Sequence, residues 1–382
     1  MSISNALTLS RRTLPAFAAE GVFWAAFAAF VPELKAGIGA SDAEFGVVLL
    51  FSALGAVTAM WLAPWFDARA GRYALALAAL LLAVSFQLPM QVSGLWAFTG
   101  LMVLVGAASG LLDVVMNARL SAIESHERVS LMNLNHAIFS FAYAGSAVAT
   151  GLARQAGVAP GFVFAALFGL VGLASFFMVQ PAEPARDPRS APAPEGRLPR
   201  AVFWGGMIIF AGFLAENATE GWSALHIERT LGGGAAEGAL GPAMLGLTMG
   251  VGRLAGQFVV AHLSEARVVF WAALVSAAGS LIAALAWVPV MAYAGFAILG
   301  LGVSVVAPMV FALIGRNVPD GLRARSISRA AIVGYFGFFV GPPMMGFVAE
   351  AYGLRLSFVF VAAVLGVVPL FLWQLRQSAR VN

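Results

Sequence analysis

Cysteine is absent from the 382-residue chain, which removes disulfide frameworks, thiolate metal sites and thiol redox couples from consideration. Charge is scarce: 10% of the residues are Asp, Glu, Lys or Arg, against about 25% in an ordinary soluble chain. Lysine occurs once, as Lys35. With no GxxxxGK[ST] loop there is no cradle for nucleotide phosphates, and with neither HExxH nor GxSxG there is no familiar hydrolytic centre. The formal charge of +4 is scattered between hydrophobic spans and forms no basic domain, so nucleic acid is not an expected partner. No cofactor or metal site is expected. What remains is apolar: 61% of the residues are hydrophobic, more than a soluble fold of this size can cover.

Long apolar windows such as Leu95 to Met116, Val202 to Leu214 and Phe358 to Trp373 recur from end to end, each approaching the roughly 20 residues that cross a hydrocarbon core as a helix. Transmembrane strands are about half as long and alternate in polarity. The fold class expected is therefore an all-α membrane protein. Windows, turn residues and charges place twelve spans near 13–34, 43–65, 73–92, 95–118, 131–153, 159–180, 201–226, 238–263, 267–288, 290–315, 326–349 and 355–376. Arg11 and Arg12 precede an apolar run without a small-residue cleavage site, and that run carries Glu20, so it reads as a retained first span.

Twelve spans put both termini on one side of the bilayer. Of the 22 Lys and Arg residues, all but Lys35, Arg154, Arg229 and Arg355 fall on that side, with Arg253 counted to its nearer face. The positive-inside rule then predicts cytoplasmic termini in an inner membrane. Gln180 to Arg200, rich in Pro, Ala and Arg, separates six spans from six. The organisation expected is a six-helix bundle over 1–180, a cytoplasmic linker over 181–200 and a second bundle over 201–382. Asp67-Ala68-Arg69 after the second span is echoed by Glu265-Ala266-Arg267 after the eighth, and Ala118-Arg119 after the fourth by Gly315-Arg316 after the tenth. Such repeats suggest halves related by an axis along the membrane normal.

The stretch Asp67-Ala68-Arg69-Ala70-Gly71-Arg72 resembles, in degenerate form, the fingerprint between the second and third spans of the major facilitator superfamily. Its first Gly is missing, and Asp67 sits one place early. With Gly110-Leu-Leu-Asp113-Val-Val-Met-Asn117-Ala-Arg119, Glu216-Asn-Ala-Thr-Glu220-Gly-Trp222-Ser223 and Gly334-Tyr335-Phe-Gly337-Phe-Phe-Val-Gly341-Pro342-Pro343, the chain resembles the sugar-permease-like and fucose-permease-like branch. The resemblance implies a major facilitator fold and a permease working by symport. It also implies gating contacts at Asp67, Arg69, Arg72 and Arg119, with Glu20, Asp113 and Asn133 or Asn135 matching the acids and the Asn that such carriers use.

Four acids lie inside the expected spans: Glu20, Asp113, Glu216 and Glu220. An ionised group at membrane depth is costly unless it meets water or a partner, which makes each a candidate for substrate binding or proton coupling. A structural hydrogen-bonding role stands as the alternative for Glu20 and Asp113. Asp113 and Asn117 are four apart and share a helix face, while Arg119, Glu124, Glu127 and Arg128 lie beyond on an expected loop, where Arg119 fits a charge latch. His136 is read either as a relay or solute ligand or as a satisfied interfacial histidine. Asn135 and Tyr143 accompany it. Glu216 and Glu220, one turn apart, repel unless one is protonated or paired; Arg253, with Gln257 one turn on, is the available cation, for structural pairing, gating or substrate charge. Trp222 fits either a sugar-stacking ring or a membrane-interface anchor. Gly341-Pro342-Pro343 and Pro308 are expected to kink or break their helices.

The function expected is secondary active transport of a small polar, sugar-like solute by alternating access with proton coupling, in a monomer whose partners are solute, proton and lipid. Proton-driven efflux of drugs or metabolites is the rival. An enzyme is not expected.

Overall fold

The computed structural model describes residues 3–180, 198–260, 263–318 and 320–380, so most of the expected linker lies outside the described residues. A short helix α1 (Ile3–Ser10) leads into α2 (Leu14–Gly37), α3 (Asp42–Ala70), α4 (Ala74–Ser85), α5 (Leu95–Glu127), α6 (Met132–Gln155) and α7 (Pro160–Ser175). The second set comprises α8 (Arg200–Leu225), α9 (Ala235–Val260), α10 (Glu265–Ala284), α11 (Pro289–Val303), α12 (Val306–Asn317), α13 (Asp320–Tyr352), α14 (Leu354–Gly366) and α15 (Val368–Arg380). Among the described residues there is no strand.

Among the described residues, nine stretches are long and apolar enough to cross a membrane. One of them, Asp42–Gln91, is 50 residues long, twice what a bilayer needs. It reverses at Gly71, whose φ of +54° suits a residue without a Cβ, and so makes two passes as α3 and α4. The helices α6 and α9, 24 and 26 residues long, are also of spanning length. Large side chains such as Trp61 (83% exposed) and Phe176 (77% exposed) point outward, as expected where lipid rather than water is the solvent.

Proline shapes two of the passes. The ring of a helical proline clashes with the carbonyl four residues earlier, which for Pro308 is Ser304; the tenth pass breaks there, between α11 and α12. Pro369 acts likewise between α14 and α15. Pro342 and Pro343, in contrast, sit inside an uninterrupted α13, so the expected break in the eleventh pass does not occur. The expected loop after the fourth pass is also absent, because α5 runs on as helix through Arg119 to Glu127 and ends on the left-handed Arg128.

Within the first half α3 and α5 meet backbone to backbone. A Cβ on Gly110 would lie 2.4 Å from the carbonyl oxygen of Ala56, and one on Gly106 would fall nearer still to that of Ser52. Small residues four apart allow this approach. The sequence echo between the halves has a physical counterpart: Arg119 pairs with Asp67 at 2.8 Å, and Arg316 with Glu265 at 2.9 Å. Each pair ties two helices of its own half together on the face that carries the termini.

Candidate functional site

A cavity of about 310 Å³ lies between the halves, walled by α2, α3, α5 and α6 on one side and by α8, α9 and α13 on the other. Seven of the residues singled out from sequence line it: Glu20, Asp113, His136, Tyr143, Glu216, Glu220 and Arg253. Helical spacing explains the convergence, since Ser109 and Asp113 on α5, and Glu216 and Glu220 on α8, stand four apart and so share the face turned to the cavity.

On α2, Glu20 is 5% exposed. Its Oε1 accepts a hydrogen bond from Trp24 Nε1 at 3.0 Å and a second, short one from the Ser109 hydroxyl on α5. Its Oε2 has no partner among the described residues. One turn along α5 from Ser109, Asp113 Oδ1 accepts from Asn117 Nδ2 at 2.8 Å. That donation leaves the Asn117 carbonyl oxygen facing His136 Nε2 at 3.2 Å, and because an amide oxygen only accepts, Nε2 carries the proton in this arrangement. The edge of Phe17 meets the imidazole, with ring centroids 5.0 Å apart.

The chain of contacts then crosses to the second half. Arg253, on α9, donates to the His136 carbonyl at 3.2 Å and to the Ser140 hydroxyl at 2.5 Å, and pairs with Glu216 on α8 at 3.3 Å. Asp113, Asn117, His136, Arg253 and Glu216 thus form one polar link through the middle of the protein. Tyr143 is buried, and its hydroxyl lacks a partner among the described residues. In the second half Phe213 and Phe338 stack at 4.6 Å, with Tyr335 5.5 Å from Phe213.

Asn117 stands behind the cavity as a bridge. Asn135 is placed elsewhere: fully buried, it donates to Ser10 Oγ at 2.9 Å and accepts from Thr13 Oγ1 at 2.9 Å, pinning the start of α2 to α6. Trp222 is fully buried rather than interfacial and meets Phe45 of the other half edge-on at 6.0 Å; neither expected role describes it. The side chain of Gln257 lies outside the described residues. Of the expected gating residues, Asp67 and Arg119 pair within the first half, while Arg69 and Arg72 cover the rings of Trp65 and Tyr73.

The face opposite the termini is closed by contacts that do cross the halves. A capping box starts α3, with Glu44 N donating to Ser41 Oγ at 3.2 Å and Ser41 N to Glu44 Oε2 at 2.8 Å. It sets Asp42 at the rim, paired with Lys35 at 3.0 Å and with Arg229 of the second half at 2.6 and 3.0 Å. A turn of π-helix, His226–Thr230, extends α8 and presents Glu228 beside Arg229. Glu228 accepts from Arg154 of α6 at 2.8 and 3.3 Å, and Glu350 of α13 accepts from Ala43 N at 2.8 Å. Below this rim a Cβ on Gly346 would lie 2.4 Å from the Asp42 carbonyl oxygen. No ion pair crosses the halves on the terminal face among the described residues.

Sequence reasoning missed Trp24, Ser109 and the rim. Trp24 is one helical turn from Glu20 and Ser109 one from Asp113, so spacing alone would have nominated both. At the rim, Lys35, Arg154 and Arg229 are three of the four cations on the sparsely charged side, an oddity that marks them as fixed by partners.

The model of the Major Facilitator Superfamily matches residues 13–286 and 226–381. An uncharacterised MFS-type transporter of Yersinia pestis is 30% identical over 356 residues, covering 92% of this chain and 91% of that one. Membrane protein MosC of Rhizobium meliloti is 28% identical, covering 91% and 85%. In fold the chain is similar to a bacterial homologue of the human lysosomal transporter Spinster in an inward-facing, occupied conformation, with a TM-score of 0.75, 14% identity, and 99% and 98% of the two chains covered. It is equally similar to a D-xylose-proton symporter, with a TM-score of 0.75, 15% identity and 98% of each chain covered. The E. coli fucose:proton symporter follows at 0.62 with 17% identity, again covering 98% of each. The many helical passes and the central cavity agree with what the family match establishes, that this chain belongs to the major facilitator superfamily.

Proposed function

We propose that the protein is a proton-coupled secondary transporter that carries a small polar solute across the cytoplasmic membrane by alternating access. Residues 1–180 and 201–382 rock as two units about the cavity, with both termini in the cytoplasm, and one chain encloses the whole pathway as a monomer. The observation that carries this reading is the polar link from Asp113 through Asn117, His136 and Arg253 to Glu216, which joins the halves across the cavity. Rocking must break or re-form that link, so whatever occupies the cavity or protonates its acids biases the motion. The rim contacts at Asp42, Arg229, Arg154 and Glu228 fit a carrier closed to the periplasm and open toward the cytoplasm. The structural likeness to the xylose and fucose symporters supports a sugar-like solute at the level of fold.

One feature favours efflux of an amphiphilic compound as a second reading: the cavity wall is largely aromatic and aliphatic, with Trp24, Phe27, Phe213 and Phe338 among its residues. The experiment that tests the first reading follows proton movement in proteoliposomes challenged with pooled sugars, organic acids, amino acids and drugs, beside Glu20→Gln and Asp113→Asn. Solute-driven proton movement that disappears in the variants is expected. Solute flux without proton movement, unchanged in both variants, would establish a uniporter. Drug pools that move protons outward while sugars do nothing would establish the efflux reading.

A further inference from the structure

The cavity holds far more negative than positive groups. Its wall carries four carboxyl groups, Glu20, Asp113, Glu216 and Glu220, and one guanidinium, that of Arg253. Arg253 is committed, 3.3 Å from Glu216 and bonded to His136 O and Ser140 Oγ. Glu20, Asp113 and Glu220 have no cation within 4.0 Å among the described residues. Asp113 is satisfied by a neutral amide, that of Asn117. Glu20, which lines the cavity, is not: Trp24 and Ser109 both hold Oε1, while Oε2 is buried without a partner among the described residues. A buried carboxylate oxygen in that state is a vacant acceptor.

We propose that the transported solute carries a cationic nitrogen, an amine or a quaternary ammonium group, which sits in the cavity against the Glu20 carboxylate and the aromatic wall of Phe213, Tyr335 and Phe338. This rests on the transport reading and adds the charge of the solute to it. The two halves contribute complementary parts. The first half supplies the charge, with Glu20 held in place by Trp24 and Ser109. The second half supplies π-faces, with Phe213, Tyr335 and Phe338 clustered at ring separations of 4.6 to 6.0 Å, and such faces attract cations where water is excluded. An anionic solute would meet a surplus of carboxylates and find Arg253, the guanidinium on the wall, already paired. A neutral polyol would leave the surplus to be met by protons alone. A cation engages both halves at once and thereby favours their closure around it.

The test uses the full-length protein in nanodiscs for binding and in proteoliposomes for flux. Three pools are compared: amino sugars, primary amines and quaternary ammonium compounds; uncharged sugars and polyols; and sugar acids with other carboxylates. Thermal stabilisation and counterflow are expected with the first pool alone. Glu20→Gln should weaken the binding by about ten- to a hundredfold, the worth of a charge-assisted contact. Phe338→Leu, which leaves every charge in place, should weaken it by about two- to thirtyfold, and this keeps the proposal testable if Glu20→Gln fails to fold. Binding of the uncharged or carboxylate pool as strong as that of the cations overturns the proposal, as does failure of every cation to stabilise the protein. Flux of uncharged solutes with no cation bound overturns the cation site and leaves the transport reading standing. Cation binding without flux of any pool supports the site and sinks the transport reading.

Discussion

Arg154 offers the sharpest way to perturb the closed face. Its side chain is 5% exposed, and it faces Glu228, itself 17% exposed, at 2.8 and 3.3 Å, with a further bond of 2.6 Å to the Ala29 carbonyl. Truncating one partner of a buried ion pair costs about 3–5 kcal/mol, because the other charge is left uncompensated. Glu228 is not fully buried, and the Asp42–Arg229 pair survives the change. Opening the face also hydrates the stranded carboxylate. A bias of about 2–3 kcal/mol toward the open form is therefore expected for Arg154→Ala, a shift of about 30- to 150-fold in the ratio of the two states. The chain has no cysteine, so a thiol introduced by Leu49→Cys is the only one present. Leu49 lines the cavity, about 10 Å along α3 from Asp42. A membrane-impermeant thiol reagent applied from the face opposite the termini reaches it only when the rim parts. Labelling should accelerate by about the same factor in Arg154→Ala, and by less in Arg154→Lys, which keeps a charge. An unchanged rate in a folded Arg154→Ala protein would show that the ion pair does not hold this face shut.

Gly346→Val places side-chain atoms against the Asp42 backbone and should raise labelling at the same thiol; slower labelling would mean the approach of α13 to α3 is not part of closure. Arg119→Ala and Arg316→Ala remove pairs confined to single halves, so both should lower the melting temperature while leaving the labelling rate where it was. Asn135→Leu removes the amide that donates to Ser10 Oγ and accepts from Thr13 Oγ1, which keeps the Ser10 carbonyl at 3.1 Å, at a loss of about 1–3 kcal/mol, visible as a lower melting temperature. The order in which solutes stabilise the protein should not change, and an altered order would place Asn135 in the binding site.

The passes were legible because each is a long apolar run bounded by Arg, Gly or Pro, and in lipid the backbone has no alternative to helix for such a run. Their ends were less so. Helix α5 continues past Arg119 because Asp67 and the Gly71 carbonyl hold that arginine inside the bundle, a tertiary contact that periodicity does not carry. The central acids were legible as costly exceptions to an apolar background. The roles of Asn135 and Trp222 were not, since a polar or aromatic residue on a helix looks the same in sequence whether it faces the cavity, as Tyr143 does, or a neighbouring helix. The rim depends on pairs far apart in the chain, Asp42 with Arg229 and Arg154 with Glu228, which no local pattern joins.

The helices that carry His136 and Arg253, α6 and α9, are packed on each other: Gly246 of α9 lies against Tyr143 of α6, and Gly250 against Phe141. During synthesis α6 leaves the ribosome roughly 100 residues ahead of α9, an interval of about 5 to 20 s at ordinary elongation rates. Through that interval the face that carries His136 and Ser140 has no mate, and its only shelter is the earlier helices or the insertion machinery. The rocking proposed above would part the same two surfaces that assembly must first bring together, so changes that weaken the α6–α9 seam are expected to register as lost protein in the membrane before they register as altered transport.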